Sequence, residues 1–210
     1  VTSDMNRNFL MRLSKKWIEE GLISDTINLD FTTIPYWGNS EHLENNWSGK
    51  RGKALASILA VLAHDPESGI IDYGDVNILH KDESAVVLEF LDFYRKSTNK
   101  KDDLKYLVFD SKFTNYENLN KLNQSDIIFV TIRRRGKNIV DKIENTPKSD
   151  WKTIRVEASA NKKRSLNVLD EKVNLRGYDG LVRQVCITGN GKIKPAIIIT
   201  NDFDISSNEL

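Results

Sequence analysis

Cysteine is nearly absent from this sequence. Its 210 residues contain one, Cys186, which excludes an internal disulfide framework and a zinc site built from cysteines. No run of about 18 apolar residues is present either, so no segment is predicted to span a membrane. The first residues, Val1 to Asp4, include neither a starting methionine nor the apolar core of a signal peptide. We therefore expect a processed piece of a soluble, cytoplasmic protein.

The sequence also has almost no net charge, which by itself argues against a nucleic-acid partner. The formal charge is +1, from 31 basic and 30 acidic residues. The charges are unevenly spread, however. Residues 131–175 hold twelve basic and six acidic side chains, a net charge of +6, and the rest of the chain carries −5. A basic segment on an acidic body suits DNA phosphates, and it suits a solvated loop face equally well.

A chain of 210 residues with 39% hydrophobic side chains can build one domain, or one domain that carries a sizeable insertion. Apolar residues at helical spacing predict helices over residues 6–20, 82–96 and 115–122. Gly21 is expected to end the first of these helices. Alternating or continuous apolar runs predict strands over residues 26–31, 54–63, 70–73, 106–109 and 127–132.

The remaining segments carry loop signals or short β-like runs. Residues 35–51 are predicted to form a polar loop, because proline, glycine and asparagine open it. Asn190-Gly191 predicts a two-residue hairpin turn. The short β-like runs after Arg135 are residues 153–155, 181–187 and 196–200. This order of elements predicts a mixed α/β core that carries a basic, β-rich insertion.

Two aspartates stand at strand positions where aspartate is disfavoured. Asp30 lies within the first predicted strand, and Asp110 ends the strand at residues 106–109. A carboxylate in such a place usually has a cation nearby, because burying it unpaired is costly. Two carboxylates on neighbouring strands can hold Mg²⁺ or Mn²⁺ through hard oxygen ligands, and two such ions can act on a phosphodiester. For either aspartate alone, a strand-end or helix-capping role is the competing interpretation.

Several short motifs, in their order and spacing, resemble the DDE-type transposases of insertion sequences. Residues 29–35 (LDFTTIP) resemble the first catalytic block, and the polar loop and strand after it fit the block that follows. Residues 109–113 (FDSKF) resemble the second catalytic block, and residues 127–133 (IIFVTIR) fit the next core strand. Residues 200–209 resemble the lead-in to a last catalytic helix. The resemblance extends from Ser24 to the C-terminus.

This resemblance implies a ribonuclease-H-like α/β fold, with a mixed sheet flanked by helices and a β-rich insertion subdomain. The chain would divide into an N-terminal helical segment, a catalytic core, the insertion, and a return strand with the start of the last catalytic helix. These parts would be residues 1–23, 24–133, 134–195 and 196–210. In the family the third metal ligand is a glutamate in a Tyr-x-x-Arg-x-x-x-Glu helix. No such motif occurs in this sequence, so we expect the third acid beyond Leu210 and little activity from these residues alone.

The activity that the resemblance implies is cut-and-paste DNA transposition, with two Mg²⁺ or Mn²⁺ ions serving strand cleavage and strand transfer. Asp30 and Asp110 would be the catalytic residues and the metal ligands. The partner would be double-stranded DNA, at the transposon ends and the target, and a homodimer in the DNA complex is compatible with the resemblance. The expected location is the nucleoid of a prokaryotic cell, with no membrane attachment. Nine basic residues would contact DNA phosphates: Lys50, Arg51, Arg133, Arg134, Arg135, Lys137, Lys162, Lys163 and Arg164.

Two other functions remain open on the sequence. A ribonuclease-H-like nuclease or resolvase would share the two carboxylates but would not join DNA strands, and a strand-transfer assay separates it from a transposase. A transposase remnant that only binds DNA would have lost metal binding, and a metal titration tests for it.

Overall fold

The computed structural model describes residues 3–38, 43–76, 78–98, 104–158 and 162–210. The α-helices in these ranges are α1 (Ser3–Glu19), α2 (Val86–Thr98), α3 (Tyr116–Asn123) and α4 (Lys137–Glu144). After α1 the chain turns at Gly21, whose φ of 70° lies in the left-handed region that favours glycine. None of the described helices combines the length and the apolar character that a membrane span requires.

Within the described residues, ten strands form one mixed sheet. They are β1 (Thr26–Pro35), β2 (Asn45–Ser48), β3 (Lys53–His64), β4 (Ile71–Asp75), β5 (Tyr106–Phe109), β6 (Ile128–Ile132), β7 (Lys152–Ala158), β8 (Lys162–Asn174), β9 (Leu181–Thr188) and β10 (Ala196–Thr200). Their order is β2-β3-β1-β5-β6-β10-β9-β8-β7, and β4 pairs with β3. The β1–β5 and β5–β6 pairs are parallel, and the other described pairs are antiparallel. Because parallel neighbours need a crossover, α2 precedes β5 and α3 joins β5 to β6.

The described α-helices cover one face of the sheet, called the closed face below. Leu29 of β1 and Phe109 of β5 are buried there in the main core, together with apolar side chains of α2 and α3 and half-buried ones of α1. On the same face, Ile143 of α4 packs with Ile197 of β10 in a smaller cluster. The opposite face, called the open face, carries half-buried residues such as Val108, and no described helix lies over it.

The mixed α/β class is confirmed, and each helix and strand predicted before residue 133 is present near its expected limits. The predicted loop at residues 35–51 is partly wrong, because β2 forms within it and pairs with the start of β3. The buried positions of β2 are polar, Asn46 and Ser48, so hydrophobic alternation does not reveal the strand. Asn46 is satisfied there, because its Nδ2 donates to the Ser57 carbonyl at 3.2 Å.

Three further corrections concern local structure. Helix α2 begins at Val86, after a short 3₁₀ turn at His80–Asp82, rather than at residue 82. Beyond residue 135 the sequence pattern missed α4 and the long strand β8, whose first residues are basic and polar. The expected two-residue turn at Asn190-Gly191 is instead a loop of residues 189–195 between β9 and β10.

The last ten residues form turns against the open face. The Ser206 carbonyl accepts hydrogen bonds from the amides of Glu209 and Leu210, both at 3.1 Å. The Ser206 amide in turn donates to Glu209 Oε2 at 3.2 Å, which is one half of a helix capping box. Where the start of the last catalytic helix is expected, the described residues therefore form a single turn, with the hydrogen bonds of a helix N-terminus.

Candidate metal and nucleic-acid site

The two aspartates predicted as metal ligands lie side by side on the open face. The last pair in the parallel register of β1 and β5 joins Leu29 to Phe109, and Asp30 and Asp110 are the next residues. They therefore occupy one level of the sheet, on strands about 4.8 Å apart. Because side chains alternate along a strand, both carboxylates project from the face opposite the buried Leu29 and Phe109.

Both aspartates are exposed, and no lysine or arginine among the described residues forms an ion pair with either. Asp110 Oδ1 accepts a hydrogen bond from the Lys112 amide at 2.7 Å, which shapes the turn after β5. The Asp110 carbonyl accepts one from Thr131 Oγ1 on β6 at 3.3 Å. Two neighbouring negative charges without a cation repel each other, and a divalent ion would relieve that repulsion.

No third acid joins this pair in the described part of the chain. Among the described residues, no group of three or more histidine, cysteine, aspartate or glutamate side chains is placed to hold a metal ion. Asp202 also borders the open face, but it accepts a hydrogen bond from Tyr106 Oη at 3.0 Å, and Tyr106 is four residues from Asp110 along the chain. Four strand residues span about 13 Å, so Asp202 is outside the ligand distance of the pair.

Asp202 has a structural use of its own. Its Oδ1 accepts hydrogen bonds from the amides of Asp204 and Ile205, at 2.8 and 3.0 Å. Burial acts to raise the pKa of Asp202, but these hydrogen bonds and the one from Tyr106 outweigh it and hold the pKa below its usual value. Its carboxylate therefore organises the C-terminal turn.

A basic pocket of about 560 Å³ lies at the end of β5 that carries Asp110, because Ser111, the residue after Asp110, forms part of its wall. Arg134 Nε donates to the Ser111 carbonyl at 3.1 Å, which places this guanidinium beside the turn. One acidic side chain, Asp141, also lines the pocket. Its basic lining residues are Arg133, Arg134, Arg135, Lys137 and Lys194. This excess of positive charge suits phosphate groups.

Arg133 differs from its two neighbours, because its guanidinium is bound within the protein. Its Nε donates to Tyr116 Oη at 3.2 Å, and its Nη1 donates to Oε1 of the buried Gln184. Gln184 Nε2 donates onward to Glu171 Oε1 at 2.8 Å. Arg133 therefore ties the end of β6 to α3 and β9, and Arg134 and Arg135 are the exposed members of the trio.

The other predicted DNA contacts lie in two separate places. Lys50 and Arg51 occupy the exposed turn between β2 and β3. Lys162, Lys163 and Arg164 open β8, and Lys163 and Arg164 are exposed. In the sheet order, β8 is four strands from β5, or about 19 Å at 4.8 Å per strand. The β8 residues therefore form a second basic region, apart from the carboxylates.

Sequence reasoning missed Lys194 as a member of the basic pocket. Lys194 lies in the loop between β9 and β10, outside the basic window at residues 131–175. The Arg135 guanidinium donates to the Pro195 carbonyl at 3.4 Å, which brings this loop to the pocket. The sequence does offer one indication of Lys194. Lys192 and Lys194 lie close together in a loop that is predicted to turn back toward the sheet.

In comparisons with known proteins, no protein-family model and no curated protein matched this chain. The resemblance to transposases rests on the motifs quoted above. The geometry of the site rests on the strand register that places Asp30 beside Asp110.

Proposed function

We propose that this chain is the catalytic domain of a DDE-type DNA transposase with a ribonuclease-H-like fold. The observation that carries the proposal is the position of Asp30 and Asp110, at one level on two adjacent parallel strands. The strand order β4-β3-β1-β5-β6 adds support, because the acid-bearing strands lie at the junction of its antiparallel and parallel parts. The strands β7 to β9, which follow β6 in the chain, stand where the resemblance expects a β-rich insertion.

The carboxylates of Asp30 and Asp110 fit divalent metal ions, since both are hard oxygen donors, exposed, and without a cationic partner among the described residues. Bound there, Mg²⁺ or Mn²⁺ would supply Lewis-acid chemistry that activates a water or a DNA 3′-hydroxyl and stabilises the leaving oxygen of a phosphodiester. A third glutamate, expected from the resemblance, would complete the ligand set.

The basic pocket would hold the DNA backbone next to the reacting phosphate. Arg134 and Arg135 are kept near it by bonds to the Ser111 and Pro195 carbonyls, and Lys137 and Lys194 line the same pocket. Contacts of this kind carry no sequence information and release counterions, so binding would weaken steeply as the salt concentration rises. The DNA would approach the Asp110 end of β5, which no described helix covers on the open face and which lies four residues from Tyr106, where the C-terminal turns are bound.

Mn²⁺ binding, measured by calorimetric titration of the chain, tests this proposal. We expect Asp30→Asn and Asp110→Asn each to weaken Mn²⁺ affinity at least about tenfold, because each removes a charged ligand. Asp4→Asn changes an exposed aspartate at the start of α1 and should retain the affinity of the unmodified chain.

Equal Mn²⁺ affinity in all three variants would contradict the metal site and favour a protein that only binds DNA. If the metal site is confirmed, an oligonucleotide strand-transfer assay separates a transposase from a nuclease. Cleavage without joining of the 3′-hydroxyl end would favour the nuclease.

A further inference from the structure

Exposed aromatic residues lie just beyond the end of β1 and on β2. Trp37 is 71% exposed, Trp47 is 61% exposed and Tyr36 is 45% exposed. We call these three residues, with the basic residues of the β2–β3 turn, the aromatic tip. Large aromatic side chains grouped on a surface are typical of binding sites, since each leaves a flat apolar ring in water.

The strand register places Trp47 on the same face as the two carboxylates. Asp30 pairs with Leu62 of β3, and Trp47 of β2 pairs with Ala54 of the same strand. Leu62 and Ala54 are an even number of residues apart, so their side chains and those of their partners share one face. Thr33 Oγ1 donates to the Trp47 carbonyl at 3.1 Å. This contact holds β2 against β1, and along β3 the eight residues from Leu62 to Ala54 span up to about 26 Å, the length of about eight stacked nucleotides.

The aromatic tip is also basic. Lys50, Arg51 and Lys53 are exposed around its turn, and residues 45–64 contain no aspartate or glutamate. The Arg51 guanidinium lies 4.5 Å from the centroid of the Trp37 ring, so a planar cation already stacks on one aromatic ring. A partner that matches this surface combines flat aromatic faces with negative charge, as unpaired nucleotides do. An apolar protein surface would match the rings but would leave the three cations without partners.

We propose that the aromatic tip binds unpaired bases of the DNA strand that leads to the phosphate held at Asp30 and Asp110, several nucleotides from that phosphate. Trp47 stacks on a base, and Lys50 and Arg51 contact the phosphates on either side of it. The position of the bound strand relative to the carboxylates rests on the proposed function, whereas stacking on Trp47 can be measured independently of metal.

The test compares two fluorescein-labelled DNAs by anisotropy, a short blunt duplex and the same duplex with an unpaired oligo-dT overhang, in buffer with EDTA. We expect the overhang to improve binding, and Trp47→Ala to weaken binding of the overhang DNA about tenfold while leaving the blunt duplex unchanged. Trp47→Phe keeps an aromatic ring and should retain most of the preference. Phe9→Ala removes an equally exposed aromatic residue from α1, 62% exposed, and should change neither affinity.

Unchanged binding of the overhang DNA by Trp47→Ala would overturn the proposal, and so would an equal loss on both DNAs. Loss of a self-associated form on Trp47→Ala, seen by sedimentation with no change in DNA affinity, would also overturn it and assign the tip to a second copy of the chain. The Mn²⁺ titration is independent of these readings. If Trp47→Ala selectively weakens overhang binding but the chain binds no Mn²⁺, the aromatic tip is supported and the proposed catalysis is rejected. If the chain binds Mn²⁺ but Trp47→Ala has no selective effect, the proposed catalysis is supported and the aromatic tip is rejected.

Discussion

The two faces of the sheet are built from the same strands but are covered differently. On the closed face Leu107 and Phe109 are buried, and Phe31 stacks on Phe113 with ring centroids 4.0 Å apart. On the open face their chain neighbours Val108 and Asp110 are half-buried and exposed. Because successive side chains point to opposite faces, one step along β5 separates a residue that stabilises the fold from one that a ligand can reach.

Two aspartates show the same contrast between a buried and an exposed position. Asp72 of β4 is fully buried, and neither of its carboxylate oxygens makes a hydrogen bond of normal geometry with a described residue. Burial raises its pKa from 3.8 to about 6, the Ser14 hydroxyl opposes this rise, and the charge of Asp65 adds to it. Asp72 is therefore a cost to folding at neutral pH, while the side chain of Asp30 is exposed where a cation can reach it.

The largest effect on stability is expected from shortening a buried side chain of β5, compared with its half-buried neighbour. Leu107→Ala removes a side chain with no exposed surface, and we expect it to lower the free energy of unfolding by about 2–5 kcal/mol. Val108→Ala, one residue along and half-buried, should cost about 1 kcal/mol or less. Urea unfolding followed by circular dichroism measures both. Equal losses would mean that the open face is covered in solution as well as the closed one.

A second prediction concerns Asp72 and pH. Its folded-state pKa of about 6 exceeds the ordinary 3.8, so the folded chain holds a proton more tightly and loses stability as pH rises through that window. Asp72→Asn should therefore stabilise the protein by up to about 3 kcal/mol at pH 8 and have little effect at pH 4. Urea unfolding at both pH values measures the difference.

Asp30→Asn is the matched control for Asp72, since it changes an exposed aspartate on the open face. Its stability should shift by no more than about 0.5 kcal/mol at either pH. A pH-independent gain in Asp72→Asn would contradict the assignment of the effect to a buried charge.

The smallest effect is expected for chemical labelling of Cys186, which lies on the closed face with no exposed surface. Burial raises the pKa of its thiol to about 11, and the nearby charge of Glu171 adds to the rise. Because the thiolate is the reactive form, a disulfide reagent should label Cys186 in urea and leave it unlabelled in the folded chain at pH 8. Fast labelling without urea would show that the sheet beneath α4 opens readily.

Sequence patterns located most of the first half of the fold, because its strands and helices bury continuous or periodic apolar runs, such as residues 54–63. They failed where burial is polar or where a strand is lined with charge. Asn46 and Ser48 are buried in β2 through hydrogen bonding and pairing with β3, and β8 begins with Lys162 and Lys163. In such segments the pairing partner, and not the local pattern, determines the strand.

Asp30 and Asp110 are candidate metal ligands on the sequence alone, since aspartate at a strand position is disfavoured whatever the partner strand is. That they lie side by side was decided by the parallel pairing of β1 with β5, two strands separated by about 80 residues of chain. The same is true of the basic residues. Their number is a property of the sequence, but contacts between residues distant in the chain decide where they lie. These contacts bring Arg134 and Lys194 to the pocket that Ser111 lines, bind Arg133 within the protein and leave Arg164 four strands from β5.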